Sequence, residues 1–433
     1  MSRAGTRWLA AIGAALLLTA CTTTVDHAVP TRASAADTDT GAALGSAAAS
    51  PPISAHAPTS IAPAGSGAGA STTTPPVLPW PPPSDTPLPQ GQALQAAVQR
   101  IAAVAAAAGM RGVTAAVLTP QGSWAGAVGV DGDGVPLAPE AMMSIAEVTN
   151  TVTAAEVMFL AKDGRIDLDA PLSNYLNHPL LGGREPTVRQ LLSHTSGLPD
   201  YDTHDLMTAL RADPTRSWTA DQALSYAASV PPAGPADTLS MSDYLLLGLL
   251  IEKITGLGYA AAVQRDLLAG NGDDRIVVQD AQQPPTPLAA PNPADGLVPD
   301  RHFLPNRAIA SAGGAATGIA ADAAALARWG YRLYGGQVLS PAGTTALSTP
   351  VTDGYGLGTL IVDDGGPQAL PDYRLGGIGA IGHPGLLVPG YQATLLVVPH
   401  DQISVSVLTV APSEVGATEI PIIIADILDA LHT

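Results

Sequence analysis

Cysteine, lysine and aromatic residues are scarce in this chain, and the shortages exclude specific chemistry. Cys21 is the only cysteine among 433 residues, so no disulfide can form within the chain. Lysine occurs only at Lys162 and Lys253, and the residues three before them are Phe159 and Leu250. A serine nucleophile served by a lysine one helical turn later therefore has no place in the sequence. A Gly-x-Ser-x-Gly nucleophile elbow is also missing. Basic residues are few: 19 Lys and Arg stand against 37 Asp and Glu, a net charge of −18. A phosphate backbone needs the opposite sign, so nucleic acid is not an expected partner. Asp202, His204 and Asp205 lie close together, but no second ligand cluster follows. They read as a polar loop, and no metal or other cofactor is expected.

What is present begins with an address. Arg3 and Arg7 precede an apolar run from Trp8 to Ala20 that ends in small residues. This is the pattern of a secretory signal peptide over residues 1–20. Leu18-Thr19-Ala20-Cys21 resembles a bacterial lipobox, which implies lipid attachment to Cys21 after cleavage. Each buried methylene of such a lipid favours the membrane by roughly 0.8 kcal/mol. The expected location is the outer face of the bacterial cytoplasmic membrane, in the cell envelope. Residues 21–89 are rich in Ala, Thr, Ser, Pro and Gly. They cannot bury enough apolar surface to fold, so a disordered tether is expected. Pro75-Pro76 and Pro81-Pro82-Pro83 stiffen its far end.

Residues 90–433 carry the folded domain. A helix is expected from Gln92 to Ala108, with Gly109 as its stop. Two strands follow, Gly112 to Thr119 and Ser123 to Val130, joined through Pro120-Gln121-Gly122 as a hairpin. Asp131-Gly132-Asp133-Gly134 is a turn too short for a calcium loop. At Ser144 a helix start is expected: Ser144 as cap, Glu147 completing a capping box, and Val148, Val152, Ala155 and Phe159 on one buried face. From Thr151 to about Leu304 the pattern is helical, clearest at Thr219 to Ser229 and Tyr244 to Thr255, with a proline-laden loop from Gln282 to Pro299. Another helix runs from beyond Ala320 to Tyr334. Strands return at Gly356 to Val362, Ala393 to Val398 and Ile403 to Val410, and a last helix runs from about Ile420 to Leu431. The simplest packing is α/β (α+β). One antiparallel sheet is built from both ends of the domain (about 90–150 and 305–433) and flanked by the terminal helices. A helical lobe (about 151–304) is inserted, and a ligand cleft lies between the lobes.

Several stretches then align with one family. Leu191-Leu192-Ser193-His194-Thr195-Ser196-Gly197-Leu198-Pro199 resembles a signature of the serine β-lactamase and D-alanyl-D-alanine carboxypeptidase family, class C type and penicillin-binding-protein-like. Residues 162–169 and 244–252 resemble its neighbouring segments. Ser311-Ala312-Gly313-Gly314, Tyr355-Gly356-Leu357-Gly358 and Gly382-His383-Pro384-Gly385 follow in family order. The resemblance covers about 90–433 and implies a β-lactamase/transpeptidase-like fold. Family members attack a carbonyl with the serine of Ser-x-x-Lys, whose desolvated lysine accepts the proton. The tyrosine of Tyr-x-Asn shuttles it. A third motif, Lys-Thr-Gly or His-x-Gly, lies on a strand and flanks the oxyanion hole.

In this chain the first motif falls on Glu147-Val148-Thr149-Asn150 and the second on Leu239-Ser240-Met241, while His383-Pro384-Gly385 matches the third. The degenerate site positions are thus Glu147, Asn150, Leu239, Met241, His383 and Gly385. A member without acyl-serine chemistry is expected, binding a peptidoglycan peptide or a partner protein. The alternative is a divergent hydrolase in which Glu147 and His383 face each other as a general-base pair. Against it stands a structural role for Glu147 at its helix start. A third reading sets a displaced nucleophile at Ser193, Ser196 or Ser240; against it, Ser193 and Ser196 belong to the signature stretch, where such residues cap turns and helices, and His194 is expected as a hydrogen-bonded structural histidine.

Overall fold

The computed structural model describes residues 78–433 apart from 232–238, 271–273, 280–281, 353, 363–378, 387, 413–415 and 433. The signal peptide, Cys21 and the tether up to residue 77 lie outside the described residues. In chain order the elements are α1 (Gly91–Ala105), β1 (Gly112–Leu118), β2 (Ser123–Gly129), β3 (Met143–Ser144) and α2 (Thr149–Lys162). The helical block holds α3 (Val188–Leu192), α4 (His204–Ala212), α5 (Ala220–Leu224), α6 (Met241–Thr255) and α7 (Tyr259–Val263). After β4 (Ile276–Val278) come α8 (Arg307–Thr317), β5 (Ile319–Ala321), α9 (Ala323–Tyr334) and α10 (Pro341–Leu347). The chain closes with β6 (Leu360–Val362), β7 (Ala380–Gly385), β8 (Gln392–Val398), β9 (Ile403–Val410) and α11 (Gly416–Leu431).

The main sheet has six strands in the order β2-β1-β9-β8-β7-β6, and every neighbouring pair is antiparallel. The first hairpin pairs with β9, so both ends of the domain do share one sheet. Side-chain alternation explains the layers. Val113, Ala115 and Val117 of β1 and Val405 and Val407 of β9 pack with Leu94 and Val98 of α1 and Ile424 and Ile427 of α11. The opposite parity, Ala116, Leu118, Leu408 and Val410, joins Leu326, Trp329 and Leu333 of α9 in the larger core. A second sheet, β3-β5-β4, stands beside the helical block.

Three differences from the sequence reading matter. First, residues 78–89 are not tether. Trp80 is buried, its N–H donates to Gly335 O at 2.8 Å, and its ring meets Tyr331 edge-on with centroids 5.1 Å apart. The Tyr331 hydroxyl donates to Pro81 O at 3.1 Å. Composition marks this stretch as polar and proline-rich, but one tryptophan with a slot to fill is enough to dock it. Second, β4 (Ile276–Val278) is a short buried strand that sequence periodicity did not separate from its helical surroundings. Third, Ser144 does not cap a helix. It ends β3, and a 3-10 turn, Ala146–Val148, precedes α2. The Glu147 side chain is therefore not turned back in a capping box.

Helix α2 is enclosed on every side: residues from Thr149 to Met158 are all buried. Its threonines are satisfied outward. Thr149 Oγ1 accepts the Ile319 N–H at 3.3 Å, Thr151 Oγ1 accepts the Trp329 indole N–H at 3.0 Å, and the Thr153 hydroxyl donates to Ala315 O at 2.6 Å. This central helix brings Glu147 and Asn150 to the junction of the sheet and the helical block.

Candidate functional site

The start of α2 is held by backbone geometry that few residues adopt. Ala146 has φ 47°, a left-handed conformation that costs a residue with a Cβ roughly 1–2 kcal/mol. It turns the chain out of β3 so that Glu147 faces the end of β7. Gly385 closes that approach: a Cβ there would lie 2.3 Å from Ile145 O and 3.1 Å from Ala146 Cβ. Only glycine lets β7 come this near. The next residue, Leu386, donates its backbone N–H to Glu147 Oε2 at 2.6 Å. That is the short distance of a charge-assisted hydrogen bond, and Glu147 is only 5% exposed.

His383 is turned to other partners. Its Nδ1 lies 2.6 Å from Pro384 O, and its Nε2 lies 2.9 Å from the Tyr355 hydroxyl. A carbonyl can only accept, so Nδ1 carries the hydrogen and Nε2 accepts from Tyr355. Burial is the main cause that lowers the His383 pKa to about 4, partly offset by Pro384 O and reinforced by His194. The ring is neutral at pH 7, with both nitrogens committed away from Glu147. The Glu147–His383 base pair of the alternative reading is not formed: His383 bonds Tyr355 and Pro384 O, and Glu147 accepts the Leu386 N–H.

Asn150 is fully buried beside Tyr355 and Gly358. A Cβ on Gly358 would stand 2.9 Å from Asn150 O and 2.8 Å from the Tyr244 hydroxyl, so the chain passes close over this position. Burial is the first cause that raises the Tyr355 hydroxyl pKa far above its ordinary value, which keeps it a hydrogen-bond donor. Leu239 is half-buried, and Met241 is buried at the start of α6. Neither the Leu239 hydrocarbon nor the Met241 thioether transfers protons.

The signature stretch is structural. His194 has φ 55°, and its Nδ1 bonds Ser240 O at 3.1 Å. Burial first lowers its pKa to about 4. The Ser196 hydroxyl donates to Asp243 Oδ1 at 2.5 Å, and the Ser193 hydroxyl to Arg189 O at 2.9 Å. The Ser240 hydroxyl is directed to Pro199 O at 3.4 Å. None of the three serine hydroxyls bonds an imidazole among these contacts. Asp243 is buried, and burial raises its pKa well above the carboxylate range.

Sequence reasoning missed Asp200 and read Asp202 only as part of a polar loop. Asp200 Oδ1 accepts the Asp202 N–H at 3.1 Å and the Met241 N–H at 3.2 Å, so it pins the loop to α6. Burial first, with Asp243 adding, raises its pKa to about 6 against those N–H groups and His194. Asp202 stands exposed at the mouth, yet crowding by protein atoms, then Asp200 and Glu147, raise its pKa to about 7. His204 and Asp205 simply open α4, with Thr203 as its cap. Tyr201, Asp202, Met207, Met241, Thr317 and Val388 line a cavity of about 30 Å3. That space holds a water or two, far below the roughly 300–1,000 Å3 of ligand pockets. The adjacency of Asp200 to the end of the signature stretch was the available signal.

Comparison with known proteins agrees with this architecture. The family model described as Beta-lactamase matches residues 96–428. Esterase EstB of Burkholderia gladioli is 32% identical over 143 residues, 30% of this chain and 36% of the esterase. The match thus spans about a third of that relative's length. A D-stereospecific amidohydrolase from a Streptomyces species superposes with TM-score 0.63 at 24% identity, covering 75% of this chain and 97% of that one. The D-amino acid amidase of Ochrobactrum anthropi SV3 superposes with TM-score 0.65 at 22% identity, covering 78% and 98%. These two likenesses concern the fold.

Proposed function

The chain belongs to the beta-lactamase family, and on that premise we propose that it is a member without acyl-serine chemistry, displayed in the cell envelope. One observation carries the reading. The position where the family keeps its nucleophile holds Glu147, and its carboxylate is engaged by the Leu386 N–H. The base position holds Asn150, which cannot accept a proton from a nucleophile, and the shuttle position holds Leu239. The substitutions are concerted, while the scaffold that would orient the reaction persists in Ala146, Gly385 and His383. The role is then recognition: a peptidoglycan stem peptide or a partner protein, met at the outer face of the membrane by a domain tethered through a lipid on Cys21. The lipobox-like Leu18-Thr19-Ala20-Cys21 supports that location. Against the divergent-hydrolase alternative stand the partners of His383, whose two ring nitrogens bond Tyr355 and Pro384 O rather than Glu147.

The test is turnover. Purified protein is expected to hydrolyse chromogenic esters, cephalosporins and D-amino-acid amides no faster than buffer. Saturable turnover that Glu147→Gln abolishes would restore the hydrolase reading.

A further inference from the structure

The far end of α2 holds a cavity apart from the cleft. Asn150 stands in the first turn of the helix and Lys162 is its last residue, a rise of about 18 Å. Met158, Ala161 and Lys162 share one helix face through their three- and four-residue spacing. That face meets Leu339, Ser340 and Ala342, where α10 begins, around a cavity of about 260 Å3. Met158 and Leu339 are buried, and with Ala161 and Ala342 they make the lining largely apolar. None of the described residues that line it is acidic. The cavity at the cleft measures about 30 Å3, whereas this one approaches the roughly 300 Å3 at which ligand pockets begin. Two polar groups stand on its apolar surface. Lys162 is one of two lysines in the chain and is exposed. Among the described residues no carboxylate pairs with its ammonium. Ser340 Oγ accepts the Gly343 N–H at 3.3 Å, which leaves the Ser340 O–H to donate.

We propose that this cavity binds a small amphiphile, one carboxylate on an apolar chain, with the head group at Lys162 and Ser340 and the chain against Met158, Ala161 and Leu339. A net charge of −18 repels anions from the surface at large, so a carboxylate needs a local cation, and Lys162 supplies it. Hydrogen bonds from an ammonium to a carboxylate are stronger than those between neutral groups. The chain displaces water from apolar surface, which favours its entry. At roughly 30 Å3 per water-sized group, the space suits an alkanoate of about eight carbons. A lysine in the last turn also complements the helix C-terminus, so affinity for the ligand, rather than stability, is the quantity that tests its role. The proposal does not depend on the role of Glu147, since the two sites share only the helix between them.

Octanoate is the probe. The full chain, isotopically labelled at its methionine methyl groups, is titrated with sodium octanoate near neutral pH and followed by NMR. Met158→Leu identifies the Met158 resonance. That resonance is expected to shift saturably, with a dissociation constant on the order of 1 mM. Octylammonium, the same chain with the opposite charge, should bind at least about fivefold more weakly. Lys162→Gln should weaken octanoate binding about three- to fivefold, the worth of an exposed charge pair. Ala342→Trp, a change at an exposed lining position, should fill the cavity and remove the saturable shift. Lys162→Gln decides the matter where the tryptophan variant folds poorly. No saturable shift by about 10 mM octanoate overturns the proposal. So does octylammonium binding as tightly as octanoate, undiminished octanoate binding in Lys162→Gln, or a shift that survives in folded Ala342→Trp.

Discussion

The carboxylate of Glu147 and the backbone N–H of Leu386 meet at 2.6 Å across the junction of the main sheet and the helical block. Glu147 here acts as a structural tie. It fills a place that the left-handed turn at Ala146 and the missing Cβ of Gly385 hold open. Glu147→Ala leaves the Leu386 N–H without its acceptor in a nearly dry site. Loss of about 1–3 kcal/mol of stability is expected, the desolvation cost of an unpaired buried polar group. Glu147→Gln, which can still accept, should lose clearly less. Denaturant midpoints of the two variants decide this.

Restoring one residue should not restore chemistry. Glu147→Ser places a hydroxyl beside Asn150, which is neutral and has no basic atom. No acyl adduct is expected from this single change. An adduct is expected only when Asn150→Lys and Leu239→Tyr are added, supplying base and shuttle together. Incubating the single and triple variants with a β-lactam and weighing them intact checks this.

Stability should fall through Glu156 as the pH rises from 4.5 to about 8. This residue is fully buried in α2. Burial first, then the charge of Asp266, pushes its pKa from 4.5 up to about 8, against Arg265 and Arg165. Below 4.5 the folded and unfolded chains both hold the proton. Between 4.5 and 8 only the folded chain holds it, so stability drops as pH rises, by up to about 1.4 kcal/mol per pH unit. His194 and His383, lowered to about 4, act with the opposite sign only below about 6.5. The difference between wild type and Glu156→Gln from about pH 6.5 to 8 therefore isolates Glu156. The wild type should weaken relative to the variant across that window.

The sequence disclosed the sheet and its terminal helices because alternation and helical spacing are local signals. β9, Ile403–Val410, and the β1–β2 hairpin could be placed almost to the residue. The site positions were legible through their motif neighbours. Their geometry was not. That Ser144 would end a strand rather than cap a helix depends on β5, whose pairing residue Ala320 lies far along the chain. That His383 would turn to Tyr355 depends on a tyrosine 28 positions away. The carboxyl groups at 200 and 202 gained their character only when folding placed them beside Glu147 and Asp243.

The docked segment ahead of α1 gives its own expectation. Trp80 is 3% exposed against Tyr331, and Asp85 pairs with Arg328. Trp80→Ala should cost about 3 kcal/mol, as large-to-small changes of buried aromatics do. Arg328→Ala should cost under about 1 kcal/mol, since Asp85 is largely exposed. Thermal unfolding of both variants separates a docked segment from a passive linker.

The most direct measurement is intact mass spectrometry of the wild-type protein after prolonged exposure to a β-lactam and, separately, to a fluorophosphonate. With Glu147, Asn150 and Leu239 at the family's reactive positions, the mass should remain that of the untreated chain. A stoichiometric adduct on any residue of the cleft would contradict the account.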